Sequence, residues 1–247
     1  MQSIVDASGS NFGQNNGTMS YSYDGNGNML SGANIVTATQ NKAFTYNLLN
    51  LPLVATIPAG TATYTYDATG NKLRKVDVLN GVTTATDYIG GIQYGTTSGV
   101  TSISFIQTEE GKAVPISTGY DYTYYLGDNL GDTLITFDTK SGTAAIEQQD
   151  DYYPFGLEIA RNVYSPKNEY LYNKKELQEE LGEYDYGARF YDPVICRFTT
   201  VDPLATKYPW YTPYQFAGNE VPNAIDRDGM EPAYPHPDGS FTTARDG

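Results

Sequence analysis

The stretch YTYDATGN at residues 64–71 decides the fold, because its letters describe a strand that runs into a turn. The two tyrosines of its first triplet are two residues apart, so both rings project from one face of a strand. Asp67 can start a turn by accepting hydrogen bonds from the backbone that follows it, and Gly70 can take the positive φ of a bulged hairpin turn. The alternating residues KLRKVDV at 72–78 then predict the returning strand.

Related units stand earlier in the chain, as YSYDGNGN at residues 21–28 and FTYN at residues 44–47. The shared pattern is aromatic-x-Tyr-Asp/Asn, and a single hairpin of this kind cannot bury its own face, whereas a row of hairpins can. Gly-rich or polar turns separate further strand candidates at residues 86–94, 101–107, 121–126, 133–138 and 146–153. The pattern predicts a mainly β fold made of antiparallel hairpins.

The composition agrees with thin sheets better than with one thick, dry core. The 247 residues include 23 Tyr against 9 Phe and 1 Trp, and a tyrosine suits a strand that is half packed and half wet. The net charge of −14 argues against nucleic-acid or anionic-membrane partners. That charge predicts either solubility alone or an acidic wall that faces a basic cargo.

Cys196 and His236 are the only residues of their types, so an internal disulfide, a cysteine metal cluster or a histidine-based catalytic triad is not expected. We predict no metal site and no cofactor. The sequence has no apolar run of 18 residues, and the first ten residues lack the features of a signal peptide. The abrupt start suggests a piece of a longer protein.

One short helix is predicted within this β pattern. Asn173 can cap it, residues 174–181 have helical periodicity through Leu177 and Leu181, and Gly182 can end it. The chain then becomes dense in Tyr, Asp and Pro, which predicts a compact, loop-rich unit. We predict three parts: a repeat sheet over residues 1–168, a core over 169–230, and a linker or the stub of a removed domain over 231–247.

These motifs are specific enough to indicate a family. Tyr-x-Tyr-Asp-x-x-Gly-Asn resembles the YD repeat of Rhs and teneurin proteins. Later segments resemble the Rhs repeat-associated core, and they are YLGDNLGD at 125–132, YYPFG at 152–156, YDYGARFYDP at 184–193, RF at 197–198, VDP at 201–203, PYQFAGN at 213–219 and DRDGM at 226–230. The resemblance covers about residues 20–230.

The resemblance implies a large β-shell. In Rhs proteins and in the C components of insecticidal toxin complexes, a ribbon of β-sheet spirals into a hollow cage, and the repeat-associated core plugs one end. A variable toxin follows the core and is held inside. The implied partners are therefore an upstream YD-repeat shell, the chain's own C-terminal toxin and an immunity protein for that toxin. The implied location is that of a secreted or cell-surface delivered bacterial protein.

The same core resembles an aspartyl autoprotease that cuts the toxin from the shell. The resemblance places the catalytic pair at Asp202 and Asp226, with Asp228 as the alternative to the second, and the cut between Met230 and Glu231. Two carboxylates that share one proton can hydrolyse a peptide bond, one by activating water and the other by polarising the carbonyl. The competing interpretation is that both aspartates only start turns.

The sequence departs from the family pattern at this site. Arg227 replaces the proline of the second Asp-Pro motif, Val201 stands where the family has an arginine, and Leu204 and Ala205 follow the first motif in place of its glycine. These differences bear on cleavage more than on the fold.

Three residues are candidates to support the site: Arg189, Arg197 and Gly229. Either arginine could instead form a structural ion pair. Cys196 is more simply an inert thiol than a nucleophile, since it lacks a histidine partner. The rows of tyrosines could stack on sugars, so the rival hypothesis is a module that binds carbohydrate or a cell surface without catalysis.

Overall fold

The computed structural model describes residues 1–7, 17–34, 41–164, 166–236, 238 and 240–243. Fifteen strands form one antiparallel sheet in which each strand pairs with the next along the chain. They are β1 Ser3–Asp6, β2 Gly17–Tyr23, β3 Met29–Asn34, β4 Lys42–Tyr46, β5 Pro52–Ile57, β6 Gly60–Tyr66, β7 Lys72–Leu79, β8 Val82–Ile89, β9 Ile92–Thr97, β10 Val100–Thr108, β11 Gly111–Ile116, β12 Gly119–Gly127, β13 Thr133–Asp138, β14 Ala145–Tyr152 and β15 Glu158–Val163.

Two smaller antiparallel sheets follow the large one. The four-stranded sheet contains β16 Glu176–Gln178, β17 Glu183–Asp185, β18 Phe190–Asp192 and β19 Arg197–Phe198. The three-stranded sheet contains β20 Ile225–Asp226, β21 Pro232–Pro235 and β22 Phe241–Thr243. The prediction of a mainly β fold built from antiparallel hairpins is confirmed.

The turn after β6 shows why the repeat contains Asp and Gly-Asn at fixed positions. Asp67 Oδ1 accepts the backbone N–H groups of Thr69 at 2.8 Å and Asn71 at 2.9 Å. Gly70 has φ +92°, and the register between β6 and β7 shifts next to Tyr66, as a bulged hairpin requires. The carboxylate thus replaces missing backbone partners in the turn.

The tyrosines of the repeat face inward and pack between the large sheet and the core. Tyr64 is 2% exposed, and its ring makes an edge contact with Phe190 of β18 at 5.4 Å between centroids. Met29 and Phe44 join the same cluster from β3 and β4. Ring packing across this interface is therefore the main apolar contact between the repeats and the core.

Three lysines on the inner face of the large sheet form a second kind of contact. Each lysine contacts two carboxylates, so each group of three side chains has a net charge of −1 when all are ionised. Most of these acids belong to the loops and strands of the core. These lysine clusters are Lys42 with Glu183 (2.8 Å) and Asp192 (3.0 Å), Lys72 with Glu176 and Asp185 (both 2.6 Å), and Lys75 with Glu180 (3.4 Å) and Asp77 (3.5 Å).

The predicted helix over residues 174–181 is wrong. Residues 172–174 form a 3-10 turn in which Asn173 has φ +49°, and Glu176–Gln178 is a strand that pairs with β17. Leu177 is buried, as the periodicity required, but its neighbour Glu176 is buried as well, against Lys72. The sheet supplies partners to both faces of this segment, and these tertiary contacts outweigh the weak propensity of a short isolated helix.

The strand candidate at residues 86–94 is two strands. β8 ends at Ile89 and β9 begins at Ile92, and Gly90 and Gly91 form the turn between them with φ +54° and +85°. In the tail over 231–247, residues 232–235 and 241–243 form β21 and β22. Residues 237, 239 and 244–247 of the tail lie outside the described residues.

Replacing Tyr64 with phenylalanine tests the contact between the repeats and the core. The Tyr64 hydroxyl donates to Glu180 at 3.1 Å, and a hydrogen bond to a charged group contributes about 1.5–3 kcal/mol. We expect urea unfolding to show a loss of about 1–2 kcal/mol, because Lys75 still pairs with Glu180. Tyr122→Phe, at a ring that is 50% exposed, is the matched control and should change stability little. Equal losses in both variants would contradict this account.

Candidate active site

Local structure brings the two predicted aspartates to their places. Asp202 begins a turn, since its Oδ1 accepts the N–H of Leu204 at 2.7 Å and its carbonyl accepts the N–H of Ala205 at 3.0 Å. Asp226 ends β20 and lies opposite Pro232 of β21. Both aspartates therefore do start or end a turn, as the competing interpretation expected, but this leaves the other oxygen of each carboxylate available for another contact.

Arg189 joins the two carboxylates. Its Nη2 lies 3.1 Å from Asp202 Oδ2 and 3.8 Å from Asp226 Oδ2. Because one nitrogen contacts both oxygens, these oxygens are no farther apart than the sum of the two distances. The structure thus brings together Asp202, Asp226 and Arg189, which lie in three separate segments of the sequence.

The Arg189 guanidinium is fixed on every side. Its Nη1 donates to the carbonyl of Pro213 at 3.1 Å, its Nε donates to the carbonyl of Gly229, and its Cζ atom lies 3.7 Å from the centre of the Phe198 ring. The side chain is 1% exposed. A buried guanidinium with these contacts has one orientation, so it positions both carboxylates and the backbone that precedes the predicted cut.

The predicted scissile bond lies in the five-residue loop between β20 and β21. Asp226 Oδ1 accepts the N–H of Gly229 at 2.7 Å and that of Met230 at 3.2 Å. Asp228 Oδ1 also accepts the N–H of Met230, at 3.2 Å. The carboxylate at the start of this loop therefore holds the backbone directly before the bond between Met230 and Glu231.

Gly229 is required by the backbone geometry of this loop. Its φ is +81°, and a Cβ atom at this position would lie 2.9 Å from the backbone nitrogen of Arg189. A side chain would push the loop away from the guanidinium. Gly229 thus belongs to the site through its conformation.

Burial changes the proton affinity of the pair. Desolvation raises the pKa of Asp226 to about 7, although Arg189 and the Gly229 N–H oppose the shift. Desolvation also raises the pKa of Asp202, with the Arg189 charge again opposing it. Asp226 Oδ2 accepts no hydrogen bond from the described residues. Burial therefore favours a protonated Asp226 near neutral pH, in keeping with its exposure of 0%.

The other predicted site residues lie farther away or play a different part. Among the described residues, Arg197 makes no hydrogen bond or ion pair with either aspartate. Burial raises the pKa values of Tyr23 and Tyr214, and the Arg197 charge opposes this rise. Asp228 contacts the loop backbone, as described above, and its carbonyl accepts the N–H of Ala188 at 3.0 Å.

Sequence reasoning missed three contributors to the site. The Phe198 ring supports the guanidinium, the Lys175 side chain donates to the carbonyl of Arg227, and the Tyr208 hydroxyl donates to Glu231 at 3.0 Å. Phe198 lies in the RF motif at 197–198, in which the sequence indicated Arg197 as the candidate, whereas Phe198 is the residue that contacts the guanidinium of Arg189. Nothing in the sequence pattern marks Lys175 or Tyr208.

A cleft of about 970 Å³ reaches the site from the inner face of the large sheet. Asp228, Met230 and Pro203 line it from the core, and Leu49 and Leu51 line it from the turn after β4.

Two residues set aside in the sequence lie outside this site. Cys196 is partly buried, which raises its thiol pKa, and its Sγ contacts only the carbonyl of Pro193, at 3.6 Å, in the hydrogen bonds of the described residues. His236 bonds Thr242 at 2.6 Å. No group of three or more His, Cys, Asp and Glu side chains is placed to hold a metal ion in the part of the chain that the structure describes. Within that same part, no helix has the length and apolar character to cross a membrane.

One large antiparallel sheet of consecutive hairpins, with two smaller antiparallel sheets after it, defines the class of this protein as a mainly β protein built from hairpins. The particular fold is shared with the crystal structure of TcdB2-TccC3-Cdc42, at 19% identity and a TM-score of 0.64 over 86% of this chain. It is also shared with TcdB2-TccC3 without its hypervariable C-terminal region, at 18% identity and a TM-score of 0.63 over the same share. The chain spans 13% of the length of each.

Two relatives are similar in sequence. Salivary gland surface protein 1 of Aedes aegypti is 36% identical over 111 residues, which cover 44% of this chain and 3% of the relative. Toxin subunit YenC1 of Yersinia entomophaga is 30% identical over 125 residues, which cover 49% of this chain and 12% of the relative. No family model matches the chain.

Proposed function

We propose that this chain is part of a β-repeat shell that encloses a toxin, and that its core cuts its own backbone after Met230. The observation that carries the proposal is the contact of Asp202 and Asp226 with one buried guanidinium, beside the loop that holds the Met230–Glu231 bond. The shared fold with TccC3 supports the shell, and the toxin subunit YenC1 supports a toxic cargo. On the likeness to the Rhs repeat-associated core, we assign residues 169–230 as the core that plugs the shell and carries out the cut.

The cargo would follow the core in the chain. TccC3 has a hypervariable C-terminal region, and the segment after Met230 corresponds to its beginning in this proposal. In this proposal an immunity protein protects the producing bacterium from the cargo, and the protein is secreted or delivered to the cell surface. The net charge of −14 suits an acidic wall for a basic cargo.

The proposed reaction is hydrolysis with the two aspartates in different roles. Asp202, in its ionised form beside Arg189, takes a proton from water, and the water oxygen bonds to the carbonyl carbon of Met230. Asp226, in its protonated form, donates to the nitrogen of Glu231 as the C–N bond breaks. The raised pKa of Asp226 supports its role as the acid, because an acid must hold its proton at the working pH.

Asparagine substitutions at the two aspartates test this assignment. Asp202→Asn and Asp226→Asn should each leave the bond between Met230 and Glu231 intact, as measured by mass spectrometry under denaturing conditions, whereas the parent chain should yield residues 1–230 and 231–247. Asp228→Asn is the matched control, since its carboxylate contacts the same loop without touching Arg189, and it should still be cut. Equal cleavage in all three variants would leave the pair with a turn-forming role only.

The rival hypothesis of a carbohydrate-binding module receives less support from the rings. Tyr64 of the repeat is 2% exposed and Phe44 is 4% exposed, so these rings present no face to a sugar. Their packing on the core already accounts for the repeat pattern.

A further inference from the structure

The residues directly after the predicted cut are held tightly by the core. Glu231 is 4% exposed and accepts the Tyr208 hydroxyl, and Ala233 is 0% exposed. Pro232 lies against Gly218 so closely that a Cβ atom there would come within 3.4 Å of its ring. Such burial is unusual for a segment that only links two domains.

Strand pairing and ring contacts extend this hold. Ile225 and Asp226 of β20 pair with Ala233 and Pro232 of β21, and β21 in turn pairs with β22. Tyr234 packs against the main aromatic cluster of the core. The Arg227 guanidinium lies 4.8 Å from the centre of the Phe241 ring. None of these contacts depends on the covalent bond between Met230 and Glu231.

Hydrolysis of that bond adds a hydroxyl group to the carbonyl carbon of Met230 and a hydrogen to the nitrogen of Glu231. The products are a carboxylate on Met230 and an ammonium group on Glu231. The ammonium forms in the loop that Asp226 and Asp228 already contact through the Met230 N–H. Because these contacts hold Met230, which stays with residues 1–230 after the cut, the hold on the new N-terminus comes from the burial of Glu231 and its hydrogen bond with Tyr208.

We propose that the edge of β20, together with Tyr208 and Gly218, is a binding site for an extended peptide with a free N-terminus, and that its occupant is residues 231–236 of this chain after the cut. The nick itself rests on the proposed function. The cut then turns a covalent tether into a bound strand, and separation of the downstream segment depends on the opening of the β20–β21 pairing.

Mass measurements of one sample in two conditions test the proposal. We expect native mass spectrometry of the purified chain to show a single complex of residues 1–230 and 231–247, and the denatured sample to show two fragments. The proposal is overturned if the native sample contains residues 1–230 without the C-terminal fragment.

A substitution in the bound strand adds a second readout. Ala233→Asp places a charge where no water reaches, so we expect at least a tenfold loss of the bound fragment in the native spectrum, with cleavage still visible after denaturation. Thr242→Asp, at an exposed position of β22, is the control and should retain the fragment. If Ala233→Asp fails to fold, a labelled peptide with the sequence of residues 231–247 decides the matter on the nicked parent chain after mild denaturant has released its own fragment: uptake on return to native buffer supports the site, and no uptake at saturating peptide refutes it.

The two proposals can fail separately. An uncut parent chain under denaturing conditions would refute autoproteolysis and leave the binding site open to test. In that case a protease recognition sequence inserted between Met230 and Glu231 supplies the nick, and the native spectrum after digestion shows whether the fragment stays. Loss of the fragment from this nicked chain would refute the binding site alone.

Discussion

Replacing Arg189 with methionine is expected to abolish cleavage and to lower the free energy of unfolding by about 3–5 kcal/mol, the range for removing one partner of a buried ion pair. The guanidinium is 1% exposed and contacts Asp202 and Asp226. Methionine fills part of the volume but leaves two buried carboxyl groups without a counterion. Both groups would then bind protons more tightly, and neither could serve as the base near neutral pH.

Arg197→Met is the matched control, because the sequence alone made Arg189 and Arg197 equal candidates. Arg197 makes no ion pair or hydrogen bond with the two aspartates among the described residues, so we expect a change below about 1 kcal/mol and unchanged cleavage. Arg189→Lys keeps the charge and loses the fork of donors. It should shift the pH profile of cleavage, which a purely structural arginine would not do. Normal cleavage in Arg189→Met would remove the arginine from the mechanism.

The protein is expected to gain stability as the pH falls from 8 to 5. Desolvation raises the pKa of Glu183 to about 7, and Asp192 raises it further while Lys42 opposes the shift. The folded chain therefore binds a proton that the unfolded chain, with an ordinary glutamate pKa, does not bind in this range. The free energy of unfolding should rise on acidification by about 1–3 kcal/mol for this group, and level off below the unfolded pKa of about 4.3.

Neighbouring groups enter the same titration. Glu183 on β17 contacts Lys42 from β4 and lies near Asp192 from β18. Burial raises the pKa values of Tyr21 on β2 and Tyr46 on β4, and the Glu183 charge adds to both shifts. Burial also raises the pKa values of other carboxyl groups to about 7, namely Asp132, Asp150, Glu169 and Asp226. All of these carboxyl pKa values are raised, so each group adds to the gain in folding stability as the pH falls.

Glu183→Gln isolates the first of these groups. Lys42 keeps Asp192 at 3.0 Å, so the lysine remains paired while the excess negative charge disappears. We expect higher stability than the parent at pH 8 and a shallower slope of stability against pH. Glu109→Gln, at an exposed acid in the turn after β10, should leave the slope unchanged. Urea unfolding at pH 5, 6, 7 and 8 measures all three chains, and a steeper slope in Glu183→Gln would contradict the account.

The site was only partly predictable. The family resemblance indicated Asp202 and Asp226, and the sequence offered Arg189, Arg197 and Gly229 as supporting candidates; the structure brings all of these except Arg197 together. Nothing in the sequence favours Arg189 over Arg197, because the choice depends on which side chain turns towards the aspartates: Arg189 in the turn between β17 and β18, or Arg197 on β19. The support from Phe198 and the hold of Tyr208 on Glu231 arise from segments that meet only in the folded chain.

The sequence by itself determined the hairpin repeat. A Tyr-x-Tyr triplet, a following Asp and a Gly-Asn pair act within a few residues of one another, and strand alternation and turn chemistry are local properties. Only the tertiary structure decided that residues 176–178 form a strand, that the repeat lysines bind acids of the core, and that two distant aspartates share one arginine. These outcomes depend on which buried charges are paired across the interface between the repeats and the core. The free-energy cost of leaving a buried charge unpaired is larger than the local preference of a short segment for helix or strand.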